Sequence, residues 1–92
     1  MAEERFLLGR TVATPGALNA LNTNHQTPLE FFILHREGDW GDISADDKEA
    51  NEQALKDDSR ILSAYNLRDG TRIYVITEAD RSATTLLLPD EY

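Results

Sequence analysis

Apolar residues in the first half of the chain recur three and four positions apart, which is typical of helices that bury one face. Thr14-Pro15 is a helix start, because threonine accepts hydrogen bonds at the N-cap and proline fits the first helical position. A short helix is predicted from there to the polar segment 22–25. Its apolar positions are Ala17, Leu18, Ala20 and Leu21.

The same start recurs at Thr27-Pro28 and predicts a second helix. This helix is expected to run from Pro28 to about Glu37, and Gly38 ends it. Its apolar stripe is broad, so we expect the helix to be largely buried.

A third helix is predicted from Ser44, with Asp47 at the acidic position of a capping box, to about Lys56. Its acidic residues are expected to face outward. Its inward side is expected to comprise Ile43, Ala50, Ala54 and Leu55.

From residue 60 onward the apolar spacing changes to every second position, which is typical of strands. Segments 61–67 and 72–77 are joined by Asp69-Gly70, a strong hairpin signal. After a connector over 78–83, a third strand is predicted over 84–88. The sequence therefore predicts an α+β fold: three short helices followed by a three-stranded antiparallel β-meander, with a single layer of helices on the sheet.

The beginning of the chain gives a weaker signal. Residues 1–5 are expected to fray, and Phe6-Leu7-Leu8 is either a short strand or a packed segment leading into the fold. A length of 92 residues suits one core and not two. We expect a single α+β domain over residues 1–92.

The net charge of −8 is concentrated in one segment. Nine acids and two lysines lie between Glu37 and Asp58, so that this block carries −7 and the rest of the chain −1. Such charge disfavours direct nucleic-acid binding, which depends on lysine and arginine neutralising phosphates. It suits a partner protein with a basic surface, such as a nucleic-acid-binding groove. The alternative, which the local pattern favours, is a solvated acidic helix face whose first-turn acids suit the helix dipole.

Trp40 lies between two Gly-Asp pairs in the loop before the third helix. An exposed tryptophan can anchor in a partner's pocket, but we favour the alternative that it plugs the side of a small core. Together with the acids around it, it makes up the predicted partner-binding set: Asp39, Trp40, Asp42, Asp46, Asp47, Glu49 and Glu52.

The segment after the second strand of the meander is a further candidate site, because loops at strand ends often carry functional groups. Glu78 and Asp80 point the same way if the chain is extended, as paired carboxylates for acid–base chemistry or a hard cation would. The alternative that we favour is a turn in which Asp80 accepts hydrogen bonds from backbone amides and Arg81 pairs with a neighbouring acid.

No cofactor and no metal site is predicted. His35, Asp39 and Asp42 are metal-ligating types, but a helix followed by a flexible loop does not specify their convergence. The chain has no cysteine, and it lacks the phosphate-loop and nucleophile-elbow motifs.

Neither membrane insertion nor export is predicted. The apolar run 31–34 is far shorter than the roughly 20 residues that span a bilayer. The first residues are acidic, whereas a signal peptide begins with basic residues. We expect a cytoplasmic protein.

Two other functions stay open at this point. One is a small metal-assisted hydrolase that uses Glu78, Asp80 and His35. The other is a structural homodimer formed through the last strand, Leu86-Leu87-Leu88, if that strand is an edge.

Several short motifs together resemble those of a group of small bacterial proteins. The motifs are Ala13-Thr14-Pro15-Gly16-Ala17-Leu18, His35-Arg36, Gly38-Asp39-Trp40-Gly41-Asp42, Ile76-Thr77-Glu78-Ala79-Asp80-Arg81-Ser82-Ala83-Thr84 and Leu87-Leu88-Pro89. The group is carried on plasmids and other mobile elements and is described as plasmid-related protein or as type I restriction endonuclease subunit M.

The resemblance covers nearly the whole chain. A methyltransferase subunit needs a far larger cofactor-binding domain, so the resemblance implies no catalytic role. Its genetic setting implies a non-catalytic inhibitor of a host defence system, of the anti-CRISPR or anti-restriction type.

Overall fold

The computed structural model describes residues 4–92, which form three α-helices, one four-stranded sheet and a C-terminal 3-10 turn. The strands are β1 Arg10–Ala13, β2 Ile61–Asn66, β3 Arg72–Thr77 and β4 Ala83–Leu87. The helices are α1 Pro15–Thr23, α2 Pro28–Arg36 and α3 Ala45–Asp57, and the turn is Pro89–Glu91. Within residues 4–92, no helix has the length and apolar character needed to cross a membrane.

The α+β class and the antiparallel meander β2-β3-β4 are confirmed, but the three-stranded sheet is not. The strand order is β1-β4-β3-β2, and β1 runs parallel to β4. The additional strand begins at Arg10 and not within 6–8. It follows Gly9, which has φ +66° and where a Cβ would overlap the carbonyls of Arg81 and Ser82. The sequence signal for β1 is weak because three of its four residues are exposed.

β4 is an internal strand, paired with β1 on one side and β3 on the other. The condition for dimer formation through the last strand, that it be an edge, is therefore not met. The outer strands are β1 and β2. At the two ends of β1, the N–H groups of Arg10 and of Thr14, the residue that follows the strand, point toward β4 and donate to the carbonyls of Ser82 and Leu86.

The helix starts lie where the threonine and serine signals predicted them. Thr14 Oγ1 accepts from the Ala17 N–H at 3.1 Å, and Ser44 Oγ accepts from the Asp47 N–H at 3.1 Å. Thr27 precedes α2 without such a bond. α2 buries Phe31, Phe32 and His35 but leaves Leu29 64% exposed, so it is less buried than predicted.

The core has two clusters that meet on β2. The larger one lies between α1, α2 and the sheet and contains Ala17, Leu21, Phe31, Phe32, Tyr65, Leu67, Ile73, Val75 and Leu86. The smaller one consists of Trp40, Ala54 and Ile61, with Phe6, Ile43 and Leu55 packed against it. Because Ile61 and Tyr65 lie on the same strand, β2 joins the two clusters.

The inward side of α3 differs from the prediction at one position. Ala54 and Leu55 pack inward, but Ala50 is exposed and Asn51 is buried in its place. The Asn51 side chain donates to the Leu62 carbonyl at 2.7 Å and accepts from the Leu62 N–H at 3.1 Å. One amide thus takes the place of a neighbouring strand along the outer edge of β2.

Arg5 is docked, although residues 1–5 were expected to fray. Its N–H donates to the Arg36 carbonyl at 2.9 Å, and its guanidinium binds both carboxylate oxygens of Glu52 at 2.8 and 3.0 Å. The prediction for residues 1–3 falls outside the described residues.

Candidate functional site

Apart from Asp39, the predicted partner-binding acids fall into two groups. Asp46, Asp47 and Glu49 are exposed on the first two turns of α3, and we call them the acidic surface of α3. Residues 4–92 contain two ion pairs, Arg5–Glu52 and Arg72–Asp42. Neither pair uses a carboxylate of the acidic surface.

Asp42 and Glu52 belong to the second group, because each holds distant segments together. Asp42 accepts from the Asn66 amide at 3.0 Å and the Arg72 guanidinium at 3.1 Å, and these bonds lower its pKa. Hydrogen bonds from Arg5 and then Trp40 lower the pKa of Glu52.

Asp39 also has a local role. Its carboxylate accepts from the Gly41 N–H at 3.2 Å and so shapes the loop before α3.

Trp40 is 4% exposed and fills the smaller cluster. Its indole N–H donates to Glu52 at 2.9 Å, and its ring stacks on Phe6 with centroids 6.0 Å apart. The interpretation of Trp40 as a core plug is confirmed. Its place in the partner-binding set is corrected, because a buried ring cannot insert into a partner's pocket.

The strand-end segment is a closed turn. Asp80 accepts from the Ser82 N–H at 2.9 Å, and the hydrogen bonds from Ser82 lower the pKa of the Asp80 carboxyl. The predicted pairing of Arg81 with a neighbouring acid is wrong. Arg81 donates instead to four backbone carbonyls. These belong to Ala54, Ser59, Glu78 and Ala79, at 2.7–3.2 Å. Arg81 thereby ties the turn to the C-terminal end of α3, and Glu78 remains exposed.

His35 is fully buried and lies in a chain of polar side chains, not beside the loop acids. Its Nδ1 is 2.5 Å from Ser63 Oγ and its Nε2 is 2.9 Å from Thr77 Oγ1. Thr77 Oγ1 is 2.7 Å from Thr84 Oγ1, and Thr84 donates to the Leu8 carbonyl at 2.7 Å. Burial lowers the pKa of His35 to about 3, so the ring is neutral.

The Leu8 carbonyl fixes the direction of every bond in this chain, because a carbonyl only accepts. The Thr84 hydroxyl donates its single proton to the Leu8 carbonyl, so it must accept from the Thr77 hydroxyl. Thr77 Oγ1 therefore accepts from His35 Nε2–H. Nδ1 is then the acceptor for the Ser63 hydroxyl. With both nitrogens bonded and no exposed surface, His35 has no free lone pair for a metal or a substrate.

Sequence reasoning missed this chain of polar side chains. The signal that could have found it lies in the inward positions of the strands. Ser63, Thr77 and Thr84 interrupt otherwise apolar inward positions on three adjacent strands. Thr77 and Thr84 are paired in the register, and Ser63 lies diagonally across from Thr77 on the same face. Buried polar side chains require hydrogen-bond partners, so this cluster indicates a buried polar residue packed against it.

The residues of the hydrolase alternative are not brought together, since His35 points into the core while Glu78 and Asp80 are exposed. Across residues 4–92, no group of three or more histidines, aspartates and glutamates is arranged to hold a metal ion.

A groove borders the acidic surface of α3 between that helix, the sheet and the C-terminus. Its volume is about 360 Å³, and its lining includes Asp47, Ala50, Arg60, Tyr74 and Tyr92. The two tyrosine rings meet edge to face with centroids 6.1 Å apart, and the Arg60 guanidinium lies 5.3 Å from the centroid of Tyr92.

Comparison of the chain with protein-family models, curated proteins and solved structures gives no match. The resemblance to plasmid-borne proteins stays a prediction.

Proposed function

We propose that the protein is a non-catalytic binding module that docks onto a basic surface of another protein through the acidic surface of α3. The observation that carries the proposal is the exposure of Asp46, Asp47 and Glu49 together on a helix whose other side is packed. Neither ion pair of residues 4–92 engages them. Three carboxylates on a fixed scaffold give a complementary surface for lysine and arginine.

The support for a binding role and not a catalytic one lies in the titratable groups. His35, whose ordinary pKa suits acid–base chemistry best, is buried and bonded at both nitrogens. Asp42, Glu52 and Asp80 hold loops and helix ends in place.

The predicted mobile-element origin extends the proposal to a kind of partner. A nucleic-acid-binding protein of a host defence system presents a basic groove, and carboxylates on a helix can occupy it in place of phosphates. The protein would then be an inhibitor of the anti-CRISPR or anti-restriction type. This extension rests on the resemblance and the charge, and the docking surface rests on the exposure of α3.

The test neutralises the acidic surface and measures binding. We expect the triple variant Asp46→Asn, Asp47→Asn, Glu49→Gln to capture fewer basic proteins from a bacterial lysate at low salt than the unaltered chain. For any partner identified, the dependence of Kd on salt should become shallower, because fewer charges are screened.

A matched control removes the same charge elsewhere, with Glu4→Gln, Glu78→Gln and Asp90→Asn, all at exposed positions outside α3. This variant should bind as the unaltered chain does. Equal binding by the α3 variant, with an unchanged salt dependence, would show that the acidic surface is not the docking site. Loss of binding in the control variant alone would move the site away from α3.

A further inference from the structure

The β2 edge of the sheet is covered by other segments of the chain, and the β1 edge is open. Along the outer edge of β2, Asn51 bonds Leu62, and the loop before α3 bonds Ala64 through Asp42 N–H at 2.7 Å and the Trp40 carbonyl at 3.2 Å. Along β1, the N–H groups of Arg10 and Thr14 point toward β4. Because backbone groups alternate in direction along a strand, those of Thr11 and Ala13 point away from β4, toward the open edge. No segment of residues 4–92 pairs with that side.

From this geometry we propose that two copies of the chain pair through β1, antiparallel about a two-fold axis at Val12. Thr11 of one copy then lies opposite Ala13 of the other, and each such pair exchanges two backbone hydrogen bonds. The two equivalent pairs give four bonds, which uses every outward-pointing group of the strand. The result is a continuous eight-stranded sheet with an isologous interface.

The exposed side chain of Val12 supports a second copy as the occupant of this edge. The strand register places Val12, Thr85, Ile76 and Leu62 in one row, on the face away from α1 and α2. Val12 ends the row and is 37% exposed. In the proposed pairing it meets the partner's Val12 in a non-hydrogen-bonded position, where side chains of opposite strands are closest.

Charge also favours this edge over other surfaces of the molecule. A net charge of −8 opposes self-association, but the acidic surface of α3 lies beside β2, at the far side of the sheet. In the dimer, seven strand spacings of about 4.8 Å separate the two β2 strands, roughly 34 Å, which exceeds the Debye length of about 8–10 Å. β1 contains no acid, and its Arg10 would lie opposite the partner's Thr14.

The first test uses the absence of cysteine from the chain. Val12→Cys puts a single thiol at the two-fold axis, where Cβ atoms of opposite residues are about 4.5–5.5 Å apart and a disulfide can form. We expect mild oxidation to convert this variant to a covalent dimer much faster than Leu29→Cys, whose position on α2 is also exposed. Equal rates in the two variants would overturn the pairing.

The second test needs no cross-link. Sedimentation of the unaltered chain should show dimers that increase with concentration, and Val12→Lys should shift the chain to monomer while Leu29→Lys leaves it unchanged. Far-UV circular dichroism of both variants confirms that they remain folded. A monomer at every concentration in the unaltered chain would overturn the proposal. Neither test depends on the docking role of α3, so the two proposals can fail separately.

Discussion

At the scale of single residues, His35 shows how a buried polar group is satisfied without any charged partner. Its ring is enclosed by Phe6 and Trp40, with centroids 5.1 and 6.0 Å away. Its two nitrogens are bonded by Ser63 and Thr77. Protonation would place a charge among aromatic rings and would remove the acceptor that Ser63 needs, so both effects oppose it.

This arrangement predicts that the protein loses stability in mild acid. The folded pKa of His35 is about 3 and the unfolded value is 6.5, so the unfolded state binds the proton first as the pH falls. The free energy of unfolding should be about 2 kcal/mol lower at pH 5 than at pH 7.5, through His35 alone. Urea denaturation across this range measures the change.

The variants His35→Gln and His25→Gln separate this effect from general acid sensitivity. His25 is exposed, so His25→Gln should keep the full pH dependence, while His35→Gln should lose it between pH 7.5 and 5. Carboxylates do not interfere, because unfolded aspartates and glutamates titrate mainly below that range. An unchanged pH dependence in His35→Gln would assign the loss to another group.

At the scale of secondary-structure elements, the predictions succeeded where the cause is local. The N-caps Thr14 and Ser44 and the turn at Asp69-Gly70 act over two to four residues, and the structure has the predicted elements beside them. The exposed acids of α3 follow equally from a local charge pattern.

The predictions failed where the cause lies far away in the chain. The sequence predicts Asp42 and Glu52 to be part of an exposed acidic block. In the structure Asp42 binds Arg72, 30 positions away, and Glu52 binds Arg5, 47 positions away. β1 has no apolar alternation of its own, and its pairing with β4 fixes it. Asn51 lies on the same helix face as Ala54 and Leu55, three and four positions before them, but a search for apolar residues does not mark a polar side chain as inward.

The two hydrogen bonds between Asn51 and Leu62 are expected to stabilise the edge of β2. Asn51→Ala removes both bonds to Leu62 and leaves a backbone donor and acceptor unpaired at the edge of β2. We expect the free energy of unfolding to fall by about 2–4 kcal/mol, as for loss of two partly buried hydrogen bonds that leave a backbone donor and acceptor unpaired. Chemical denaturation measures this loss.

Gln53→Ala is the matched control, because it removes the same amide group from an exposed position of the same helix. Its effect should stay within about 0.5 kcal/mol. Similar losses in the two variants would mean that Asn51 does not act as the cover of this strand edge.

At the scale of the whole molecule, the two core clusters are expected to unfold together. They share β2, and Arg81 joins the strand-end turn to α3 through four carbonyls. Trp40 is the only tryptophan and lies in the smaller cluster, so its fluorescence follows that cluster alone. Urea transitions followed by Trp40 fluorescence and by far-UV circular dichroism should coincide.

A fluorescence transition at lower urea would show that the smaller cluster, with Phe6 and α3, comes apart before the larger one. The single-domain prediction would then have to be replaced by two units of different stability.

The parallel pairing of β1 with β4 also bears on the order of events in folding. Arg10 and Ala83, which are neighbours in the register, are 73 positions apart in the chain, whereas β2, β3 and β4 follow one another directly. Closing so long a loop costs entropy that short-range contacts avoid, so helices and meander can form before β1 is placed. A chain growing from its N-terminus therefore makes β1 early but can dock it only after β4, Ala83–Leu87, has been synthesised.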